Sequence, residues 1–147
     1  MLGQNVDSPS TGQYAKSVNV PWVGYDSDSS KFAPKQWLTG AVYNWGPYYL
    51  KEVQAAMNGT WKTHSYYGGL KDGFTKLAPY GPGVSAATKA MIASKLTALK
   101  SGSFYEFQGP IYDQSGKLRV PKGKKMSLND ILSVNWLVKG VVGSAKG

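Results

Sequence analysis

The chain contains no cysteine. Disulfides and thiolate metal sites are therefore excluded, and cysteine usage reveals nothing of the compartment. There is one histidine, His64. A zinc site built without Cys and with a single His lacks its usual ligands. A nucleophile–histidine pair would have to use His64, and no G-x-S-x-G elbow accompanies it. Among 17 basic residues only Arg119 is an arginine, so the side chain that reads bases and clamps phosphates bidentately is nearly absent. No G-x-G-x-x-G or Walker A sequence occurs, and Gly68-Gly69 followed by Lys71 has the wrong spacing for one. No run reaches the roughly 18 consecutive apolar residues of a membrane-spanning helix. Met1 to Ser10 holds neither a basic stretch nor an apolar core, so no signal peptide is expected in this chain.

What is present describes a folded protein. The 147 residues suffice for a core, and 41% are apolar and 13% aromatic, which argues against disorder. Five Trp and ten Tyr suit a core, an interface or a stacking site. The net charge of +9 fits either a binder of nucleic acid or anionic membrane, or simply a basic soluble protein. Lys122-Gly-Lys124-Lys125 is the only compact basic run. The aromatics sit in apolar runs nearly free of Lys, whereas a nucleic-acid binder interleaves the two on one face. A basic nucleic-acid-binding protein is therefore the alternative class, and no nucleic-acid partner is expected.

Periodicity and punctuation predict an α/β order. Met1 to Val6 ends a short apolar element. Asp7-Ser8-Pro9-Ser10 breaks it and offers caps for a helix over Ser10 to Ser17. Val20 to Tyr25 reads as a buried-type strand that runs into Asp26-Ser27-Asp28-Ser29-Ser30. Strand, helix, strand is a βαβ unit whose loops follow the carboxyl ends of its strands. Pro34 opens an extended or turning stretch, and Trp37 to Trp45 is β-rich. Gly46-Pro47 starts a helix that stops at Asn58-Gly59. One or two strands are expected over Trp61 to Leu77, a turn over Pro79 to Gly83, and a helix over Val84 to Lys100. Phe104 to Tyr112 and Lys117 to Val120 form a hairpin around Asp113 to Gly116. Ser127 caps a last helix through Leu132, and Val134 to Val142 finishes the fold. Trp22, Val23, Leu38, Val42, Val53, Met91, Leu96 and Val138 are the expected core.

Two carboxylates, Asp26 and Asp28, follow a buried strand. At the carboxyl end of a strand in an open sheet such groups face the crevice where ligands bind, and an ionised carboxylate accepts two hydrogen bonds from a vicinal diol. The same Asp-Ser-Asp-Ser-Ser sequence also suits a turn or helix cap. Paired acids can run acid–base chemistry, but nothing else in the chain supports hydrolysis. Tyr43, Trp45, Tyr48 and Tyr49 can stack on a planar base, or pack as core.

At Val23-Gly-Tyr-Asp-Ser-Asp28 a family pattern emerges. With Phe32-Ala-Pro-Lys, Leu38-Thr-Gly-Ala-Val-Tyr-Asn-Trp45-Gly-Pro-Tyr-Tyr, Gly59-Thr-Trp61, Gly69-Leu-Lys-Asp-Gly73, Leu77-Ala-Pro, Phe107-Gln-Gly-Pro-Ile111 and Gly140-Val-Val-Gly143, the chain resembles the basic membrane protein family of ABC-transporter substrate-binding proteins. The resemblance implies a type I periplasmic-binding-protein fold, with two α/β lobes around a cleft. It also implies a purine nucleoside or nucleobase as ligand, an ABC permease as partner, no cofactor and no enzymatic activity. Its members are exported, many of them lipid-anchored, so a periplasmic or membrane-anchored place is implied. The strand end also resembles the sugar-binding repressors of the superfamily, where the Asp holds sugar hydroxyls.

Members are about twice this long, so the resemblance places the chain as the C-terminal half, with the first lobe as a missing partner. It divides the chain into residues 1–33, the end of the second lobe with its ligand-edge loops; residues 34–60, a crossover segment and helix; and residues 61–147, the C-terminal strands, long helix, hairpin and final helix. Such a half-cleft is expected to expose an apolar face. Asp26, Asp28, Asp7, Ser8, Asn5, Tyr43 and Trp45 are the implied ligand residues. Many nucleoside-binding members carry a Lys in the motif Leu38 to Tyr43; Tyr43 stands in its place here, which favours a base held by aromatics.

Overall fold

The computed structural model describes residues 1–145. Two compact units follow one another, Met1–Ser101 and Gly102–Gly147.

The first unit is built on a four-stranded sheet in the order β1-β2-β3-β4, with β1 Leu2–Gly3, β2 Trp22–Asp26, β3 Trp37–Tyr43 and β4 Thr75–Leu77. The first three strands are parallel and β4 is antiparallel to β3. Helix α1, Ser10–Ser17, links β1 to β2 and spans the residues expected of it. Pro9 occupies its N-cap without a side-chain cap; in place of the expected Asp/Ser cap, the Ser8 hydroxyl accepts the Ser10 N–H at 3.3 Å.

The core of this unit is organised by two indoles. Trp22 and Trp37 are buried and meet edge to face, 4.9 Å between ring centroids. Small residues make room for them. A Cβ on Gly12 would lie 2.6 Å from the Trp22 ring, and one on Gly24 2.4 Å from the Trp37 ring. Trp37 Nε1 donates to the Pro79 carbonyl at 3.0 Å and the Thr39 hydroxyl to that of Ala78 at 2.7 Å, which ties the turn after β4 back to β3. Between Trp22 and Val23 the register with β3 slips by one, the signature of a bulge.

Helix α2, Gly46–Met57, starts with Pro in its first turn and ends on Asn58, with Gly59 at φ +68°. Helix α3, Ala86–Ser101, is followed by Gly102 at φ +71°. Strand β4 is the only ladder in the stretch expected to hold one or two strands; residues 61–69 form none. They are held by side chains instead. Trp61 Nε1 donates to Glu52 at 2.8 Å, His64 lies 3.4 Å from the same carboxylate, and Tyr66 stacks on Tyr48.

Of the expected core, Trp22 is buried, and Val23, Leu38, Val42 and Leu96 are half-buried. Val53, Met91 and Val138 are 55%, 71% and 45% exposed, against expectation. Periodicity identifies an apolar face but not a partner for it.

The second unit holds the hairpin β5, Ile111–Tyr112, and β6, Leu118–Val120, and the helix α4, Leu128–Leu132. Ser127 and Asp130 cap α4 reciprocally. Among the described residues after α4, Val138 forms an isolated bridge with Asp113.

Candidate binding edge

Because β1, β2 and β3 are parallel, the segments that follow them open on one edge of the sheet. Gln4, Asp7 and Ser8 follow β1, Asp26 ends β2, and Tyr43 ends β3. A cavity of about 190 Å³ lies at this edge, and its walls include Gln4, Asp7, Ser8, Tyr25, Asp26 and Ser29. Asp26 has φ +70°, in the left-handed region that a residue with a side chain adopts only when its surroundings enforce it.

The hydrogen-bond inventory of this cavity is lopsided. Asp7 and Asp26 are exposed and neither carboxylate hydrogen-bonds to a described residue. Gln4 donates through Nε2 to the Val6 carbonyl at 2.9 Å, while its buried Oε1 has no donor among the described residues. The cavity thus presents acceptors that the protein leaves unused, and a buried acceptor left alone is unfavourable by about 1–3 kcal/mol. A group rich in O–H or N–H donors complements it.

Beside this cavity Tyr25 and Tyr43 meet edge to face, 6.1 Å between centroids. The hydroxyl hydrogen bond to Tyr25, then burial, then the nearby negative charges of Tyr25, Asp26 and Asp7 push the Tyr43 phenol up to about 12. Tyr43 is thus a neutral hydroxyl at any physiological pH. An aromatic run continues from it. Phe74, next to β4, stacks on Tyr43 at 5.4 Å and receives Trp45 edge-on at 4.7 Å. Trp45 stacks in turn on Tyr49 at 5.6 Å and stays 44% exposed.

Of the residues expected at the site, Asp7, Ser8 and Asp26 line one cavity, Tyr43 adjoins it through Tyr25, and Trp45 is reached from Tyr43 through Phe74. Asn5 is exposed in the loop after β1 and does not line the cavity. Asp28 accepts the Ser30 N–H at 3.0 Å, so it holds the turn of Ser30–Phe32. Sequence reasoning missed Gln4, Tyr25 and Ser29. Gln4 and Tyr25 flank residues that were singled out, and position at a strand end was the available signal.

The unused acceptors and exposed rings thus lie at the carboxyl edge of an open parallel sheet, the place where α/β proteins bind ligands. The chain belongs to the PnrA-like ABC transporter substrate-binding protein family, whose model matches residues 7–104, and its architecture is a partial type I periplasmic-binding-protein fold. Over 141 residues it is 34% identical to a purine-binding protein of Brucella abortus (strain 2308), a match covering 96% of this chain and 40% of that one. It is 26% identical over 94 residues to a Haloferax volcanii protein named for glucose binding in an ABC transporter, covering 64% of this chain and 24% of that one. The chain thus spans well under half the length of these curated relatives. A transcriptional activator of the comK gene from Bacillus halodurans superimposes with a TM-score of 0.57 at 16% identity, over 65% of this chain and 34% of that chain; this likeness is one of fold. The family is extracytoplasmic, and among the described residues no helix is long and apolar enough to cross a membrane.

Proposed function

We propose that the chain forms one wall of a receptor that captures a purine nucleoside or nucleobase and delivers it to an ABC permease without chemical change. The observation that carries this reading is the pair of unpartnered carboxylates, Asp7 and Asp26, in one cavity beside the Tyr25–Tyr43 pair. Asp26 accepts from a ribose diol or from a ring N–H of the base. Asp7, Ser8 and the Gln4 carbonyl take the remaining donors, and Asn5 borders the loop that carries them. Asp28 shapes the loop beneath. Tyr43 and Trp45 supply faces and edges for a planar base. A cavity of about 190 Å³ is smaller than the roughly 300 Å³ and upward of a complete small-molecule site, so a second lobe closes over the ligand. Ligand contacts to both lobes favour the closed state over the open one. The purine-binding name of the Brucella abortus relative supports the choice of ligand.

Competitive equilibrium dialysis tests the class of ligand. The reading expects purine nucleosides and bases to displace one another and to bind well ahead of pyrimidine nucleosides and glucose. Preference for glucose would overturn the purine assignment and leave the edge as a sugar site.

A further inference from the structure

The basic run Lys122-Gly-Lys124-Lys125 takes no part in the edge described above. It lies in the second unit, beyond residue 104, where the family match ends. Lys124 and Lys125 line a cavity of about 340 Å³ together with Arg119, Trp136, Met126 and Asp130. The chain's one arginine is held from two sides. Arg119 Nε donates to Asp113 Oδ2 at 2.7 Å, and the guanidinium lies 5.5 Å from the centre of the Trp136 ring. Asp113 is 5% exposed. Its other oxygen accepts the Ser115 N–H, the Ser115 hydroxyl and the Lys117 N–H. The carboxylate is therefore fixed at the Nε edge, and the two terminal nitrogens of Arg119 have no hydrogen-bond partner among the described residues.

The other charges of the cavity divide into spent and unspent. The Lys125 ammonium donates to the Gly102 carbonyl at 3.1 Å and lies over the Tyr105 ring. Asp130 accepts the Ser127 N–H and hydroxyl at 2.8 and 2.6 Å. The Lys124 ammonium has no hydrogen bond, ion pair or ring contact with a described residue. What remains is a pre-oriented guanidinium face and one free ammonium beside an indole. A planar fork held in place suits a tetrahedral oxyanion, and the positive field of the whole chain raises the local concentration of anions.

We propose that this cavity is an oxyanion site: a phosphate-type group binds between the terminal nitrogens of Arg119 and the Lys124 ammonium, with Trp136 as its wall and Asp113 as the residue that positions Arg119. The group belongs either to a phosphorylated small molecule or to an anionic lipid headgroup. The probe is pyrophosphate, titrated at low salt into the full 147-residue chain while the Trp136 indole N–H and the Arg119 Nε–H are followed by NMR. The Trp136 signal is assigned with Trp136→Phe. Both signals are expected to shift saturably, and Lys124→Gln to weaken binding at least fivefold. Lys89→Gln, in the first unit, is expected to change nothing. Arg119→Lys keeps the charge beside Asp113 but loses the fork, and weakens binding as well. Lys124 is exposed, so its variant separates lost binding from lost folding. Sedimentation with phosphatidylcholine vesicles, with and without phosphatidylglycerol, names the source. Lys124-dependent pelleting on the anionic vesicles assigns a headgroup, and pyrophosphate saturation without pelleting assigns a small molecule. Shifts that stay linear, or that are unchanged in Lys124→Gln, would overturn the proposal.

Discussion

At the scale of residues, the two most perturbed groups make opposite predictions. Tyr43 has its phenol pushed up to about 12, so the neutral form is favoured by folding. Its contribution to stability is complete below about pH 10, the ordinary tyrosine value, and is lost as the pH rises through the folded value. Absorbance titration at high pH should therefore show a late-ionising tyrosine beside ordinary ones, and Tyr25→Phe should bring it down toward 10. A Tyr25→Phe variant with the same late step would remove Tyr25 as the cause. Asp113 is shifted the other way. The Ser115 hydroxyl first, then Arg119 and two backbone N–H groups, hold its carboxyl well below the usual range, against the opposing effect of burial. Its stabilisation is present above about pH 4 and is lost as the pH falls through the folded value. Asp113→Asn should lose stability at neutral pH and flatten the acid limb of the unfolding curve below pH 4. An acid limb identical to that of the parent chain would contradict this account of Asp113.

At the scale of elements, helix boundaries and strand ends were written locally and could be read. Helix α1 is bracketed by Pro9 and by Asn19 at φ +51°, α2 by Gly46-Pro47 and Asn58-Gly59, and α4 by Ser127. Parallel pairing of two short strands around α1 was enough to bring Asp7, Ser8 and Asp26 to a common edge. Less legible were contacts between distant side chains. The Tyr25–Tyr43 ring contact depends on the register of β2 against β3, which slips at Trp22. Of the one or two strands expected over Trp61 to Leu77 one forms, β4, while Trp61, His64 and Tyr66 in residues 61–69 pair with side chains on α2. Gly12 illustrates how packing overrides propensity. Gly→Ala inside a helix ordinarily stabilises by about 1 kcal/mol. Here the new Cβ would stand 2.6 Å from the buried Trp22 ring, and overpacking of that kind destabilises by about 1–3 kcal/mol. Denaturant unfolding of Gly12→Ala should therefore show a net loss. A gain would mean that α1 does not seat on Trp22.

At the scale of the whole molecule, the exposed apolar surface sets the behaviour. Leu50, Val53 and Met57 on α2 and Met91 on α3 are 55% to 81% exposed, and apolar patches of this sort drive association. The chain by itself is expected to self-associate as concentration rises, which light scattering would detect; a monomer at high concentration would show that these residues need no partner. In the proposed reading ligand capture is a property of the same scale, since it requires both walls of a cleft, while its chemistry rests on one side chain of this wall. The most direct measurement is isothermal titration of a purine nucleoside into the smallest form of the protein that binds it, comparing Asp26→Ala and Asp28→Ala with the parent. Asp26→Ala is predicted to weaken binding by about 1.5–3 kcal/mol, the scale of a hydrogen bond to a charged group, which is roughly 10- to 150-fold in Kd. Asp28→Ala should lose less, because its carboxylate is already engaged by Ser30. Unchanged affinity in Asp26→Ala, with the fold intact, would contradict the assignment of this edge as the ligand site.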